Sequence, residues 1–447
     1  MRVLHLPGNI VYRYEDEEIR DLFDYFEPDI AVTTKAKRSL RRRIEKVSPY
    51  ETVRLESIDT YIMRKLGDDF FLFLRDENAL NQLDFSRCSN SRITVVTDMI
   101  KEEMDPNSFY FDLTNTSIID GLHKKLHDFN VLSTEIEAGK KPRYQGDSIY
   151  GFGPSFGMGG SKIPSVVTGD RLQIETLNSK KVGILAVPGL GDRFSAELRR
   201  RGIETRDDLC SLDPRDILDE DGIGPYRSTK WISCAKAIEE HDVYKINRDD
   251  LKTKHRLFID IETDSLNPSI IWHIGLYDDS RNKYRSFLEK DPDQKGRIIK
   301  QFMDYLEDHT DSNSVLLAWY GSNFDFPHLK SFIKKYDPKR LPLWNKIEKI
   351  DFMYWTDKHA ALPCRSSKLD EVSTRLGYEP DLMGLDGEDV ARIYTGYMED
   401  RSMEPDWNEL ITYAKDDVIS MKYVYKKVRE APLLFDINEV KRDYRKR

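Results

Sequence analysis

The chain is poor in cysteine and has no long apolar run. Its four cysteines include no pair in Cys-x-x-Cys spacing, so we expect neither a zinc knuckle nor a disulfide framework. Apolar runs such as residues 315–320 are far too short to span a bilayer. The first residues lack the basic start and apolar stretch of a secretory signal. We therefore expect a cytoplasmic protein without a membrane-spanning segment.

An excess of positive charge is also missing. The 447 residues carry 70 Lys+Arg against 79 Asp+Glu, a net charge of −9. This balance argues against binding nucleic acid through a broad basic surface, although it leaves room for a local site. Hydrophobic residues make up 39% of the chain, which is enough for packed cores and excludes global disorder. The length predicts roughly two to four domains.

Residues 1–170 alternate short apolar runs with charged amphipathic stretches. Strands are predicted at residues 3–6, 29–33, 70–74 and 93–97, and helices at 17–26 and 36–47. Alternation of this kind is typical of an α/β domain whose sheet is at least partly parallel. The pattern contains no catalytic constellation, so the role of this domain stays open.

Two segments of this region have unusual compositions. The stretch 35–46 is basic and reads either as a solvated helix surface or as a phosphate-contacting face. Its basic residues are Lys35, Lys37, Arg38, Arg41, Arg42, Arg43 and Lys46. Residues 146–160 hold six glycines and are interpreted as a flexible linker or as a loop over a partner surface.

Residues 180–243 contain two similar halves, each with a glycine hairpin before an amphipathic stretch. Glycine permits the backbone angles that such tight turns need. The segment resembles a tandem helix-hairpin-helix domain, a small all-α module. That resemblance implies that hairpin amides and helix N-termini hold a DNA phosphate. The residues it implies are Gly189, Gly191, Arg193, Gly222, Gly224, Arg227 and Lys230.

A second interpretation of residues 180–243 is a helical packing or protein-docking module. Acidic residues at Asp207, Asp208 and 219–221 argue against strong binding of nucleic acid by this segment alone. A polar linker is predicted at 245–255, and a second α/β domain over 254–430. The last residues, within 431–447, are predicted to form a basic, solvated tail.

The clearest chemical signal lies at residues 257–263, an apolar strand that carries two acids. Side chains alternate across a strand, so Asp260 and Glu262 share one face. Two carboxylates this close repel each other, and a fold tolerates them mainly when cations lie between them. The pattern therefore indicates a divalent-metal site.

Two weaker signals follow along the chain. Asp325 comes after the apolar run 315–320 and is interpreted either as a site residue or as the N-cap of the next helix. An amphipathic helix is predicted at 407–427, on which Tyr413 and Asp417, four residues apart, share a face. Taken alone, that pair could equally be an ordinary surface pair.

Together, the three signals resemble the motifs of the DEDD exonucleases, which have a ribonuclease H-like fold with a mixed sheet. Tyr413 four residues before the last acid marks the DEDDy subclass, and Thr412 stands where the other subclass has histidine. The sequence motifs FIDIET, NFDFPHL and YAKDDV are similar to those of family B DNA polymerase proofreading domains. LDGEDVARIY looks more like a group of predicted ribonuclease H-like exonucleases.

The resemblance implies roles for individual residues. Asp260, Glu262, Asp325 and Asp417 would bind two divalent ions, Mg²⁺ or Mn²⁺, which oxygen ligands suit. Tyr413 would orient the attacking water, and Asp416 faces another side of its helix. The residues that would place the terminal nucleotide are Asn323, Phe324 and Thr263.

These observations predict a metal-dependent 3′–5′ exonuclease that hydrolyses phosphodiester bonds at nucleic-acid ends. DNA is favoured over RNA, because helix-hairpin-helix modules more often meet DNA. The alternatives are a nucleic-acid-binding scaffold with an inactive nuclease fold and a structure-specific endonuclease. In related multidomain proteins a RecB-type nuclease domain comes first, but residues 1–170 show no matching motif. Pathway, protein partners and oligomeric state stay open.

Overall fold

The structure is a computed structural model of the whole chain. It describes residues 1–85, 92–104, 111–157, 160–168, 171–218 and 222–446. Cys88, part of the glycine-rich segment, the acidic run 219–221 and Arg447 lie outside the described residues. The chain divides into two compact units, Met1–Ala186 and Val187–Arg447.

The first unit contains strands and helices in alternation, as predicted. Its strands are β1 (Arg2–Pro7), β2 (Ile30–Thr34), β3 (Glu51–Arg54), β4 (Tyr61–Leu66), β5 (Asp69–Leu74), β6 (Arg92–Met104), β7 (Phe111–Thr114), β8 (Asn130–Glu137), β9 (Arg143–Tyr144), β10 (Asp147–Gly153), β11 (Ser155–Gly157), β12 (Gly160–Val167) and β13 (Gln173–Asn178). Its helices are α1 (Gly8–Val11), α2 (Asp16–Phe26), α3 (Arg38–Val47), α4 (Ala79–Gln82) and α5 (Ser117–His123).

These strands form two sheets among the described residues. The first has the order β11-β12-β1-β2-β3, with β13 beside β12, and its β1, β2 and β3 are parallel. The second has the order β4-β5-β6-β8-β10-β9, with β7 beside β6. Within it, β5, β6, β8 and β10 are parallel. The predicted α/β class with a partly parallel sheet is therefore confirmed.

The two sheets of the first unit enclose an apolar core. Val3 and Val32 of the first sheet pack with Phe71, Phe73 and Phe152 of the second. Helices α2 and α3 cover the outer face of the first sheet. Helices α4 and α5 cover the outer face of the second. The unit is thus built from four layers, helix on sheet on sheet on helix.

The glycine-rich segment is not the predicted linker, because its described residues form β10, β11 and the start of β12. A Cβ on Gly151 would lie 1.9 Å from the backbone oxygen of Glu137. A Cβ on Gly153 would lie 2.7 Å from the backbone oxygens of Ile136 and Thr134. The glycines therefore permit β10 to approach β8 closely.

The basic run falls largely on α3, whose inner face buries Leu40 and Ile44. Arg43 pairs with Asp16 at 2.7 Å, and Lys46 lies 3.8 Å from the same carboxylate. Part of the positive charge is thus neutralised within the unit.

The second unit holds the remaining elements. Its strands are β14 (Tyr244–Lys245), β15 (His255–Thr263), β16 (Ile271–Asp278), β17 (Lys283–Leu288), β18 (Ser314–Ala318), β19 (Glu348–Asp351) and β20 (Ala360–Ala361). Its helices are α6 (Asp192–Arg200), α7 (Arg206–Cys210), α8 (Pro225–Glu240), α9 (Arg297–His309), α10 (Asp325–Tyr336), α11 (Leu341–Lys346), α12 (Phe352–His359), α13 (Leu369–Arg375), α14 (Gly387–Glu399), α15 (Trp407–Glu430) and α16 (Ile437–Tyr444).

The main sheet of the second unit is mixed, with the order β17-β16-β15-β18-β19. Strand β15 is antiparallel to β16 and parallel to β18. One face packs against α9 and α10, and the other packs against α12, α13 and α15. Because β15 is central, its odd-numbered apolar residues point to the first face and its acids to the second.

The C-terminal segment differs from the predicted solvated tail, because residues 437–444 form α16. Ile437 and Val440, three residues apart, are buried on its inner side. The basic side chains Lys441, Arg442, Arg445 and Lys446 are exposed. The basic residues of this segment led to the prediction of a solvated tail, whereas two apolar residues on the opposite side of the helix pack against the protein.

No helix in the described part of the chain combines the length and hydropathy needed to cross a bilayer. The described cysteines Cys210, Cys234 and Cys364 are free thiols.

We predict that Gly151→Ala lowers the stability of the first unit by about 1–3 kcal/mol or more, because the new methyl group would overlap backbone atoms of β8. Urea denaturation measures the loss. Gly396→Ala serves as the control, since a Cβ there meets nothing within 4 Å. Equal midpoints for the two variants would contradict the close approach of β10 to β8.

Candidate metal centre

Asp260 and Glu262 lie on β15 and point to the face of the sheet that α15 covers. In the register of β15 with β16, Asp260 lies opposite Gly275 and Glu262 opposite His273. Glu262 is buried and Asp260 half-buried. The strand alternation predicted from the sequence thus places both acids between the sheet and a helix.

Gly275 sets how closely α15 can approach this face. A Cβ at that position would lie 2.8 Å from Cγ2 of Val418 and 3.2 Å from the hydroxyl of Tyr284. Any larger residue would push α15, which carries Asp417, away from β15. The sequence pattern gave no indication of this role, since glycine within a strand has several uses.

Asp417 completes a compact group with the two strand acids. One carboxylate oxygen from each of Asp260, Glu262 and Asp417 lies within 4.8 Å of the others. Tyr413, one turn earlier on α15, makes a side-chain hydrogen bond with Asp417. Its hydroxyl lies 3.7 Å from the position that a Cβ on Gly387 would occupy.

Asp325 lies close to this group but outside the 4.8 Å set. It is the first residue of α10, and Phe324 occupies the N-cap position, so the N-cap interpretation is wrong. Asp325 is 3% exposed, and its Oδ1 has no hydrogen-bond partner among the described residues. Its charge acts on both Asp260 and Glu262. A buried carboxylate oxygen without a partner requires a ligand or a proton.

Burial and neighbouring carboxylates raise the pKa values of all four acids. Burial, and then the neighbouring carboxylates, raise the pKa of Asp260 and of Glu262 well above the usual range. Burial raises the pKa of Asp325 and of Asp417 to about 7. Carrying four negative charges here at neutral pH is therefore costly unless cations are bound.

Asp351 supports the loop before Asp325 and was missed by the sequence reasoning. It is the last residue of β19, and its Oδ2 accepts a hydrogen bond from the backbone N–H of Ser322 at 3.0 Å. In the same loop, Tyr320 has a φ of 57°, a strained value that clusters at functional sites. The position of Asp351 at the end of a strand parallel to β18 was the available signal.

The predicted nucleotide-placing residues adjoin the carboxylates along the chain, since Thr263 follows Glu262, and Asn323 and Phe324 precede Asp325. The Thr263 hydroxyl donates to the backbone oxygen of Ser265 at 2.9 Å and shapes the loop after β15. Asn323 is exposed, and Phe324 packs edge-on against His328 with ring centroids 4.8 Å apart. Their role in binding stays a prediction.

Asp416 does not join the cluster, as its helical position predicts. It is buried and accepts hydrogen bonds from the Tyr378 hydroxyl at 2.8 Å and the Leu382 backbone N–H at 3.0 Å. This carboxylate therefore anchors the chain after α13 to α15.

The predicted hairpins precede α6 and α8, with Gly191 and Gly224 at the N-cap positions. Gly189 and Gly222 have φ values of 79° and 114°, which glycine adopts without strain. Arg193 and Arg227 are exposed beside these turns. This geometry is compatible with the predicted module, and binding at these residues stays a prediction.

The structure contradicts the predicted role of Lys230. It was predicted to contact nucleic acid, but it is buried, and its Nζ lies 2.5 Å from the carboxylate of Asp357. The sequence places Lys230 three residues after Arg227 on α8, but it does not show that α12 covers this side of the helix.

Comparison with known proteins bears on this domain. Residues 257–429 match the model of the RNase H superfamily. This match confirms, at the level of the superfamily, the fold predicted over 254–430. No curated protein matches the chain.

Among solved structures, 34 chains match. One is the crystal structure of Chaetomium thermophilum Vps29, with 8% identity and coverage of 40% of this chain and 97% of that chain. Its TM-score of 0.17 carries no argument about fold or function.

The residues fit divalent cations. Asp260, Glu262 and Asp417 offer carboxylate oxygens, the donors that Mg²⁺ and Mn²⁺ prefer. Beside them, Oδ1 of Asp325 is buried without a partner in the part of the chain that the structure describes. Burial first, and then the negative charge gathered beside them, raise the pKa values of Asp260 and Glu262. The superfamily match is in keeping with such a site.

We predict that the metal-free protein loses stability as pH rises from about 4 to above 7. The pKa values of Asp325 and Asp417 are about 7 in the folded state, against 3.8 for an ordinary aspartate, so the folded state holds protons that the unfolded state has released. Thermal denaturation at several pH values measures the effect. The Asp325→Asn/Asp417→Asn variant should lose less stability over this range, and Mn²⁺ should raise the Tm of the wild type most at high pH.

A metal-free wild type whose Tm changes with pH exactly as the double variant's does would contradict the raised pKa values.

Proposed function

We propose that this protein is a metal-dependent 3′–5′ exonuclease of the DEDDy type. The observation that carries the proposal is the convergence of Asp260, Glu262 and Asp417, with Asp325 beside them, in a domain matching the RNase H superfamily. A superfamily match by itself indicates nucleic-acid hydrolysis. The direction, the metals and the subclass rest on the carboxylates and on Tyr413.

The four carboxylates would hold two divalent ions, Mg²⁺ or Mn²⁺. When bound, such ions supply activation of the attacking water and charge stabilisation for the leaving 3′ oxygen. The carboxylates themselves fix the place of reaction, since β15, α10 and α15 hold them on three separate packed elements.

Tyr413 would orient the attacking water through its hydroxyl. Burial, the nearby carboxylates and the hydrogen bond with Asp417 raise the pKa of Tyr413 well above its ordinary value. The hydroxyl therefore stays protonated at neutral pH and acts as a hydrogen-bonding group rather than as a general base.

Nucleic acid would be held by the hairpins before α6 and α8. Each presents the N-terminus of a helix with an exposed arginine beside it, Arg193 and Arg227. Such a surface binds phosphate without reading bases. DNA is proposed over RNA on the resemblance to helix-hairpin-helix modules alone.

We expect Asp260→Asn to lower the rate of strand degradation more than about 100-fold, since even outer partners of a metal ligand cost up to that much. The assay follows end-labelled single-stranded, duplex, flapped and RNA substrates with Mg²⁺ and with Mn²⁺. Asp381→Asn is the control, because that exposed carboxylate pairs only with Lys415 among the contacts described. Equal cleavage by the wild type and Asp260→Asn would refute the proposal.

The same assay separates the alternatives. A circular single strand has no ends, so its cleavage would identify an endonuclease. Tight, metal-dependent binding without cleavage of any substrate would identify an inactive nuclease fold.

Tyr413→Phe should lower kcat about 10- to 100-fold with little change in KM, because it removes the positioning hydroxyl while keeping the ring. Tyr423→Phe on the same helix is the matched control, since its hydroxyl binds the backbone oxygen of Leu376 at 3.1 Å. If the two variants have the same kcat, Tyr413 has no part in orienting water.

A further inference from the structure

The polar segment predicted to link the hairpins to the nuclease sheet is held in place by that domain. Strand β14 pairs with β20, with Tyr244 opposite Ala361. The backbone N–H of Lys245 donates to Pro432 at 2.7 Å, and that of Ile246 donates to His359 at 2.8 Å. Backbone pairing of this kind holds the chain in place and leaves little freedom to swing.

Side chains fix the following residues as well. The Trp355 indole donates to Asp250 at 2.7 Å, and the Tyr425 hydroxyl donates to Asp249 at 2.9 Å. Both aromatic residues belong to the core behind the nuclease sheet. The connection from α8 to β15 is therefore attached along its length to the domain that carries the carboxylates.

The hairpin segment is tied to the same domain at two further places. The Lys230 ammonium, buried against α12, contacts both the carboxylate of Asp357 at 2.5 Å and its backbone oxygen at 3.0 Å. Helix α16, which follows the nuclease domain, returns to this module, where Asp443 pairs with Arg215 at 2.9 Å. The hairpin module and the nuclease domain are accordingly one compact unit.

The two hairpins are also fixed to each other. The Phe194 ring lies 5.0 Å from the ring of Trp231 on α8. The guanidinium groups of Arg193 and Arg227 lie over the same Phe194 ring, at 5.3 Å and 5.1 Å. One aromatic ring thus holds an arginine from each hairpin, and the pair forms a single surface.

We propose that this surface is a fixed anchor, so that the enzyme acts on polynucleotides long enough to reach from the hairpins to the carboxylates and stalls on short oligonucleotides. The inference rests on the proposed function. A strand that engages both sites gains affinity because its second contact is intramolecular. A short strand can engage only one site, and a rigid anchor cannot move to meet it.

The test uses 5′-labelled single strands of roughly 4 to 40 nucleotides with Mn²⁺. We expect kcat/KM to rise about tenfold or more above a threshold length, and digestion of long strands to end at oligonucleotides of nearly one length. In Arg193→Glu/Arg227→Glu, kcat/KM should no longer rise with strand length, so that long strands are degraded no better than short ones. Arg199→Glu/Arg200→Glu, farther along α6, is the charge-matched control.

A kcat/KM that is independent of length, or an unchanged length dependence in Arg193→Glu/Arg227→Glu, would overturn the anchor while leaving the exonuclease proposal intact. A broad spread of end products would overturn its rigidity. Binding of the same strands to Asp260→Asn, followed by fluorescence anisotropy, decides the question without cleavage. We expect the affinity to rise above the same threshold length, and this rise to be absent in Arg193→Glu/Arg227→Glu. If the wild type cleaves none of the strands, that result counts only against the proposed function.

Discussion

Repulsion among four carboxylates is the constraint around which the second unit is organised. Asp260, Glu262 and Asp417 come together from β15 and α15, and the buried Asp325 of α10 lies beside them. Such a cluster opposes folding, so the surrounding packing must hold it. Apolar cores on both faces of the sheet supply that packing, and cations can relieve the repulsion.

Close approach of backbones is the second requirement, and glycine meets it in both units. Gly275 admits α15 to the face of β15, and Gly151 admits β10 to β8. In each case a single methyl group would displace a whole element. The two positions differ in consequence, because the first lies beside the carboxylates and the second serves the sheet packing of a unit whose role is open.

The net charge of −9 does not describe the local charge at the sites that would meet nucleic acid. Under the proposed function, the carboxylates of the cluster would act by recruiting cations, while the exposed arginines beside the hairpins provide local positive charge. Because the hairpin module is attached to the nuclease domain, the fold fixes the distance between these arginines and the carboxylates. Under the proposed function, recognition of substrate would then depend on fixed geometry more than on a broad basic surface.

Local spacing by itself determined much of the site. Alternation along a strand predicted that Asp260 and Glu262 share a face, and a four-residue step on a helix predicted the same of Tyr413 and Asp417. These are properties of one element, and the structure shows both arrangements. The elements around them, including β15 and α15, were predicted for the same reason.

Only the tertiary structure decided which surfaces meet. Asp325 could have been an N-cap until its buried, unpartnered oxygen was seen beside the cluster. Lys230 was predicted to face nucleic acid, but α12 covers it. The described part of the glycine-rich segment forms strands, and residues 437–444 of the expected tail form a helix. Such outcomes depend on residues distant in sequence, because burial and pairing are decided by the partner element and not by the segment itself.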